Sequence, residues 1–183
     1  MNKKLAIIAL FAFSFGAVAQ DDLNLKLRHI AGIKGIDLMG GVGANCWNAE
    51  LSYYKFISDV WIFRLGGNFE KTTFPSTNLT DFTVKPSINY TLFKLNDNLY
   101  VNGELGLFLG VEKNTAYSPA DDLTYSYPAA SNFIYGAFIG GNVEIYINTN
   151  TALIGSFQQH YIGGSDFGNW KYQLNGGLRF IFN

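Results

Sequence analysis

Trp170-Lys171-Tyr172-Gln173-Leu174-Asn175-Gly176-Gly177-Leu178-Arg179-Phe180-Ile181-Phe182-Asn183 closes the chain, and its reading decides the fold. One parity holds Trp170, Tyr172, Leu174, Gly176, Leu178, Phe180 and Phe182; the other holds Lys171, Gln173, Asn175, Gly177, Arg179 and Ile181. A period of two is a β-strand. Aromatics sit at both ends of the apolar face and aliphatic or small residues in its middle. A strand needs this pattern when its ends lie at two membrane interfaces and its centre in hydrocarbon.

The same stretch resembles the terminal signature of outer-membrane barrels, which is read by the barrel-assembly machinery. Asn175, Gly177, Phe180 and Phe182 carry the resemblance, with one residue, Asn183, after the last aromatic. The signature implies a destination, the outer membrane of a Gram-negative cell, and the assembly machinery as a partner.

At the other end, Lys3 and Lys4 precede an apolar run from Leu5 to Phe15 and then Ala17-Val18-Ala19. These are the parts of a signal peptide over residues 1–19. Neither this run nor any later one reaches the ~20 apolar residues of a helical span, so membrane crossing must use strands. Cys46 is the sole cysteine. It can form no intrachain disulfide and reads as a small wall residue rather than a nucleophile.

A net charge of −1 with 15% charged residues gives no field for nucleic acid, so no direct binding of DNA or RNA is expected. Aromatics at 16% and 20 glycines exceed the habits of soluble domains, where glycine runs near ~7%. Both suit a barrel wall.

Residues 20–34 form a polar lead-in with Asp21, Asp22, Lys26, Arg28 and His29 among leucines, and residues 35–183 carry the barrel. Alternation predicts eight strands, at about 35–42, 46–56, 60–70, 80–93, 99–112, 132–146, 151–161 and 170–183. Pro86 lacks a ladder donor and suggests a bulge in the fourth. Short turns at Ser58-Asp59, Asn96 to Asn98 and Asn148 to Asn150 interleave with longer loops at Lys71 to Leu79, Asn114 to Ser131 and Ile162 to Asn169. Short inner turns and long outer loops place both termini in the periplasm. The expected fold is therefore all-β, an eight-stranded antiparallel transmembrane up-and-down barrel. A soluble lipocalin-like barrel would need its apolar face inward, and aromatic belts with outward glycines tell against it.

The inward parity carries Asp37, Glu50, Arg64, Lys85, Glu104, Glu144 and Arg179. Eight strands enclose room for side chains only, so these charges are expected to pair across the lumen as a plug. His160 and Ser156 share that parity, which reads as polar lining rather than a catalytic pair. No enzyme activity, cofactor, metal site or small-molecule substrate is expected. The loop 114–131 exposes Tyr117, Tyr125 and Tyr127 as candidate contact residues.

Gly32-Ile33-Lys34-Gly35-Ile36-Asp37, Asp81-Phe82-Thr83-Val84, Asn132-Phe133-Ile134-Tyr135-Gly136-Ala137 and Gly176-Gly177-Leu178-Arg179-Phe180 together resemble the conjugative-transposon protein TraO family. The resemblance implies an outer-membrane barrel in a conjugative transfer apparatus, with other transfer proteins as partners and no catalytic residues. The residues by themselves leave open a generic envelope barrel serving adhesion or envelope stability. A lipid-modifying enzyme is the third class.

Overall fold

The computed structural model describes residues 29–73, 77–116, 131–165 and 168–182. Eight strands follow in order: β1 Lys34–Gly43, β2 Cys46–Phe56, β3 Trp61–Thr73, β4 Thr77–Asn96, β5 Leu99–Ala116, β6 Ser131–Tyr146, β7 Thr151–Gly163 and β8 Trp170–Phe182. Each pairs antiparallel with its neighbour, and β8 pairs with β1, so the sheet closes without a free edge along the seam. Asp37 lies opposite Arg179 in that seam.

The barrel is inside out by the standards of a soluble domain. Leu105, Leu107 and Ile139 on the outer wall are 63–64% exposed, whereas Glu50, Glu70, Glu104 and Glu144 inside are at most 3% exposed. Such a wall is at home only in hydrocarbon, where a spanning sheet must close on itself as this one does through β1 and β8.

Three short turns lie at the end that carries both termini, called here the proximal end. Ser58 Oγ accepts from the amides of Val60 and Trp61, Asn96 Oδ1 from Asn98 and Asn148 Oδ1 from Asn150. Side-chain oxygens thereby stand in for the missing ladder. At the distal end β1 and β2 join through a tight turn in which Asn45 takes a φ of 59°, a conformation asparagine tolerates better than most.

Three expectations need correction. The polar stretch Lys71 to Leu79 is mostly strand: β3 runs on to Thr73 and β4 begins at Thr77, so strict alternation of long and short connections does not hold at this loop. Pro86 causes no bulge, because Val84↔Leu109 and Ser87↔Gly106 keep one register across it. The register shifts instead between Thr91 and Phe93 and again between Lys94 and Asn96. Finally, Lys34 belongs to β1, one residue before the boundary given to the lead-in.

Space for large side chains inside comes from glycine. Gly106 lies opposite Phe138 and Gly136 opposite Phe108 in the β5–β6 ladder. A Cβ on Gly106 would fall 2.4 Å from Phe138 Cζ, and one on Gly136 2.6 Å from Phe108 Cζ. Two apolar clusters result: Tyr54, Phe56, Ile62, Tyr100, Tyr146 and Ile181 with Ala152 at the proximal end, and Phe108, Ile134, Phe138 and Ile162 on the β5–β7 wall.

Candidate functional site: a filled lumen and its two rims

The seven charged residues read as inward all lie in the lumen, each at most 4% exposed. Arg64 is the hub. Its Nη2 is 2.5 Å from Glu50 Oε1, its Nη1 3.1 Å from Glu104 Oε1 and its Nε 3.3 Å from Asp37 Oδ2. Arg179 donates through Nε and Nη2 to the two Asp37 oxygens at 2.7 and 2.8 Å, and its Nη1 is 2.7 Å from Glu144 Oε1. Lys85 Nζ donates to Glu50 Oε2 at 3.0 Å and to Gln158 Oε1 at 2.7 Å, and stands 4.8 Å above the Phe138 ring. Four carboxylates and three cations thus share one network, and charges buried at this depth persist only when paired and hydrogen-bonded.

The proximal mouth is capped by a residue of the lead-in. His29 stacks on Tyr100 with ring centres 3.9 Å apart and meets Phe56 at 4.6 Å. Its Nδ1 is 3.2 Å from Thr91 Oγ1 and its Nε2 3.4 Å from Glu144 Oε2. The turn behind it is pinned to β2, since Gly32 N donates to Phe56 O and Phe56 N to Ile33 O. The lead-in therefore does not simply hang below the barrel; its last residues close it.

A second charged cluster lies toward the distal end. Glu70, Asp81 and Glu112 face one another across β3, β4 and β5 through the pairings Glu70↔Asp81 and Asp81↔Glu112. Lys171 bridges Glu70 and Asp81, Gln173 donates to Glu70, and Ser165 Oγ donates to Glu112 Oε2 at 2.8 Å. The parity of Val60 to Glu70 already turns Glu70 inward, but cross-strand register is needed to see three carboxylates side by side. His160 stacks on Phe138 at 5.1 Å and meets Gln158 Oε1 at 3.2 Å, while Ser156 Oγ accepts from Asn175. Histidine and serine are four residues apart on one strand, roughly 13 Å at ~3.3 Å per residue, too far for a nucleophile and its base.

On the outer wall, Trp47, Phe69, Phe82, Tyr161 and Trp170 form a distal belt, with Trp47 and Phe69 ring centres 5.3 Å apart and Phe69 and Phe82 5.0 Å apart. Trp61 and Tyr90, 4.8 Å apart, belong to the proximal belt with Tyr53, Phe63, Phe180 and Phe182. Between the belts the wall is mostly Leu, Ile, Val and Gly, with Phe157 at the midpoint of β7. Over Gly67 it dips into an apolar groove of about 830 Å³ bordered by Leu51, Phe69, Phe82 and Val84.

Within the terminal signature, Phe180 and Phe182 face outward, and Asn175 faces inward. Gly177 sits where a Cβ would lie 2.1 Å from Leu38 O on β1. Tyr117, Tyr125 and Tyr127, like the signal-peptide segment and lead-in residues 20–28, lie outside the described residues. Among the described residues, no group of three or more His, Cys, Asp or Glu side chains is arranged to hold a metal ion.

No family model matches the chain, and no curated protein matches it. Solved structures do. A major outer membrane protein from Thermus thermophilus superposes with a TM-score of 0.66 at 14% identity, covering 82% of this chain and 99% of that one. The N-terminal β-barrel domain of Pseudomonas aeruginosa OprF gives 0.55 at 16% identity over 83% and 98%. Neisserial surface protein A gives 0.54 at 17% identity over 82% and 96%. At these identities the likeness is one of fold: this chain has the closed eight-stranded architecture of small outer-membrane barrels.

Proposed function

We propose that the chain is an outer-membrane β-barrel that works by contact at its two rims. The observation that carries this reading is the lumen itself, occupied from wall to wall by the Arg64, Lys85 and Arg179 network and capped by His29. A barrel so filled offers its ends and its lipid-facing wall. The proximal rim, with both termini, is assigned to the periplasm, because the chain enters the membrane from that side and an even strand number returns it there. Outer-membrane lipid is then the partner of the wall, and the barrel-assembly machinery the partner of the terminal signature.

The finer reading makes the protein a component of a conjugative transfer apparatus, with other transfer proteins at its rims. It rests on the resemblance carried by Gly32 to Asp37, Asp81 to Val84, Asn132 to Ala137 and Gly176 to Phe180. A clean deletion in a strain without a second copy is expected to lower transfer frequency and leave growth unchanged. Wild-type transfer in that strain would overturn the conjugation reading and leave the envelope barrel. Planar-bilayer recording tests the coarser claim: no steady porin-like current is expected, and a large stable conductance would refute the filled lumen.

A further inference from the structure

The outer wall carries charge of one sign only. Every carboxylate of the eight strands is at most 4% exposed and turned into the lumen. Outward go Lys34 and Lys55 at the proximal rim and Lys71 and Lys113 at the distal rim, besides Lys94, which pairs with Asp97 beyond the proximal belt.

The distal lysines belong to one row. Lys71 lies opposite Thr80, and Thr80 opposite Lys113, so three polar side chains from β3, β4 and β5 share one level of the outer face. Two strand spacings of ~4.8 Å set the lysine backbones roughly 10 Å apart. Their flexible stems let both ammonium groups converge on one anion over Thr80, whose hydroxyl is a further donor. A lone lysine at a membrane interface simply lifts its charge to water. Two flanking a hydroxyl offer the donors that a phosphate accepts.

The rows beneath continue the arrangement toward the membrane centre. Phe69, Phe82 and Val111 come first, then Gly67, Val84 and Leu109, in the same three strands and the same register. All six line the 830 Å³ apolar groove. Val111 is the small member of its row, set between Phe82 and Phe133, so the groove runs up between two rings to the lysine row. An apolar slot that ends beneath two cations matches the two parts of a phosphate-bearing lipid, tail below and head above.

We propose that the distal outer face of β3, β4 and β5 seats one phosphate-bearing lipid, its acyl chain in the groove over Gly67 and its phosphate between Lys71 and Lys113. The inference rests on the reading of the chain as an outer-membrane barrel and narrows general contact with lipid to one bound molecule of the distal leaflet. The proximal pair, Lys34 opposite Lys55, carries the same charge outside the groove and serves as its control.

Native mass spectrometry of the barrel purified from outer membranes into detergent, with phosphatidic acid as the probe, tests the proposal. One retained phosphatidic acid per chain is expected, with phosphatidylcholine of the same acyl chains retained far less. Lys71→Gln with Lys113→Gln should lower phosphatidic acid occupancy by roughly tenfold. Lys34→Gln with Lys55→Gln should leave it unchanged. Gly67→Leu should also empty the site without altering charge; the nearest atom to a Cβ there is the Leu51 carbonyl oxygen at 4.0 Å, so the wall accepts a side chain. Heat-modifiable migration checks that each variant is folded. Undiminished occupancy in the distal double variant, or an equal fall in the proximal one, overturns the proposal, and undiminished occupancy in Gly67→Leu rejects the groove as the seat of the tail. Displacement of the lipid by millimolar inorganic phosphate would assign the lysines to a free anion and overturn it as well. None of these outcomes moves the planar-bilayer result, so the barrel reading stands or falls separately.

Discussion

Arg179 grips both oxygens of Asp37, at 2.7 and 2.8 Å, across the seam where the last strand meets the first. The two are direct Cα partners although |i−j| is 142, so the pair joins the ends of the barrel domain at its point of closure. Two parallel bonds from a guanidinium to a carboxylate fix geometry as well as charge. Arg179 also lies over the Tyr54 ring at 4.0 Å, which leaves little room for another side chain.

Removing one partner of this seam pair leaves the other with a single opposite charge, Arg64 for Asp37 or Glu144 for Arg179, and unbalances the buried network. Arg179→Met or Asp37→Leu should each lower unfolding stability by ~3–5 kcal/mol. The lipid-facing Leu178→Ala should cost clearly less. Urea midpoints read from the heat-modifiable gel band check the order, and equal midpoints for the three variants would show that the lumen charges do not support the fold.

The terminal aromatics are expected to govern assembly more than stability. Phe180→Asn with Phe182→Asn should leave the protein secreted but unassembled, with the heat-modifiable form depleted from outer-membrane fractions. Normal amounts of folded protein there would separate the signature from assembly.

Interior and exterior glycines should respond oppositely to one methyl group. A Cβ on Gly106 falls 2.4 Å from Phe138 Cζ and 2.8 Å from the Pro86 carbonyl oxygen, whereas Gly155 has nothing within 4 Å of the same position. Gly106→Ala should destabilise by ~1–3 kcal/mol. Gly155→Ala should be near neutral, and the difference in denaturant midpoint measures the contrast.

Lys171 is the cation that bridges Glu70 and Asp81 in the distal cluster. Lys171→Met should lower the unfolding midpoint, and adding Glu70→Gln should recover much of the loss by removing one of the stranded charges. If the double variant is no more stable than the single one, repulsion among the carboxylates is not the cause.

The alternation of Phe82, Val84, Pro86, Ile88, Tyr90 and Leu92 against polar neighbours was enough to turn β4 the right way round, and parity alone brought the seven lumen charges inside. Register was not legible in the same way. Lys71 to Leu79 has loop composition, yet the ladder is extended through it by pairings such as Lys71↔Thr80 and Thr72↔Leu79, and so Glu70 comes to face Asp81. Composition cannot report a pairing that depends on two strands at once. His29 shows the same gap, since nothing in a polar lead-in foretells that a ring will stack on Tyr100, 71 positions further along. The bulges near Leu92 and Leu95 fall where the apolar pattern thickens to Leu92-Phe93, a clue to broken alternation that Pro86 overshadowed.

The reciprocal placement of Gly106 against Phe138 and Phe108 against Gly136 distinguishes the native alignment of β5 and β6 from its nearest competitors. A slip of two residues keeps every side chain on its proper face, so the leucines and isoleucines of the lipid side barely register the error. Inside, one such slip sets Phe108 against Phe138 and leaves Gly106 facing Gly140: a collision beside a void. Each ring fits only where its opposite strand lacks a side chain, so the two pairs act as a key cut on both blades, rejecting misaligned hairpins that hydrophobicity alone would accept.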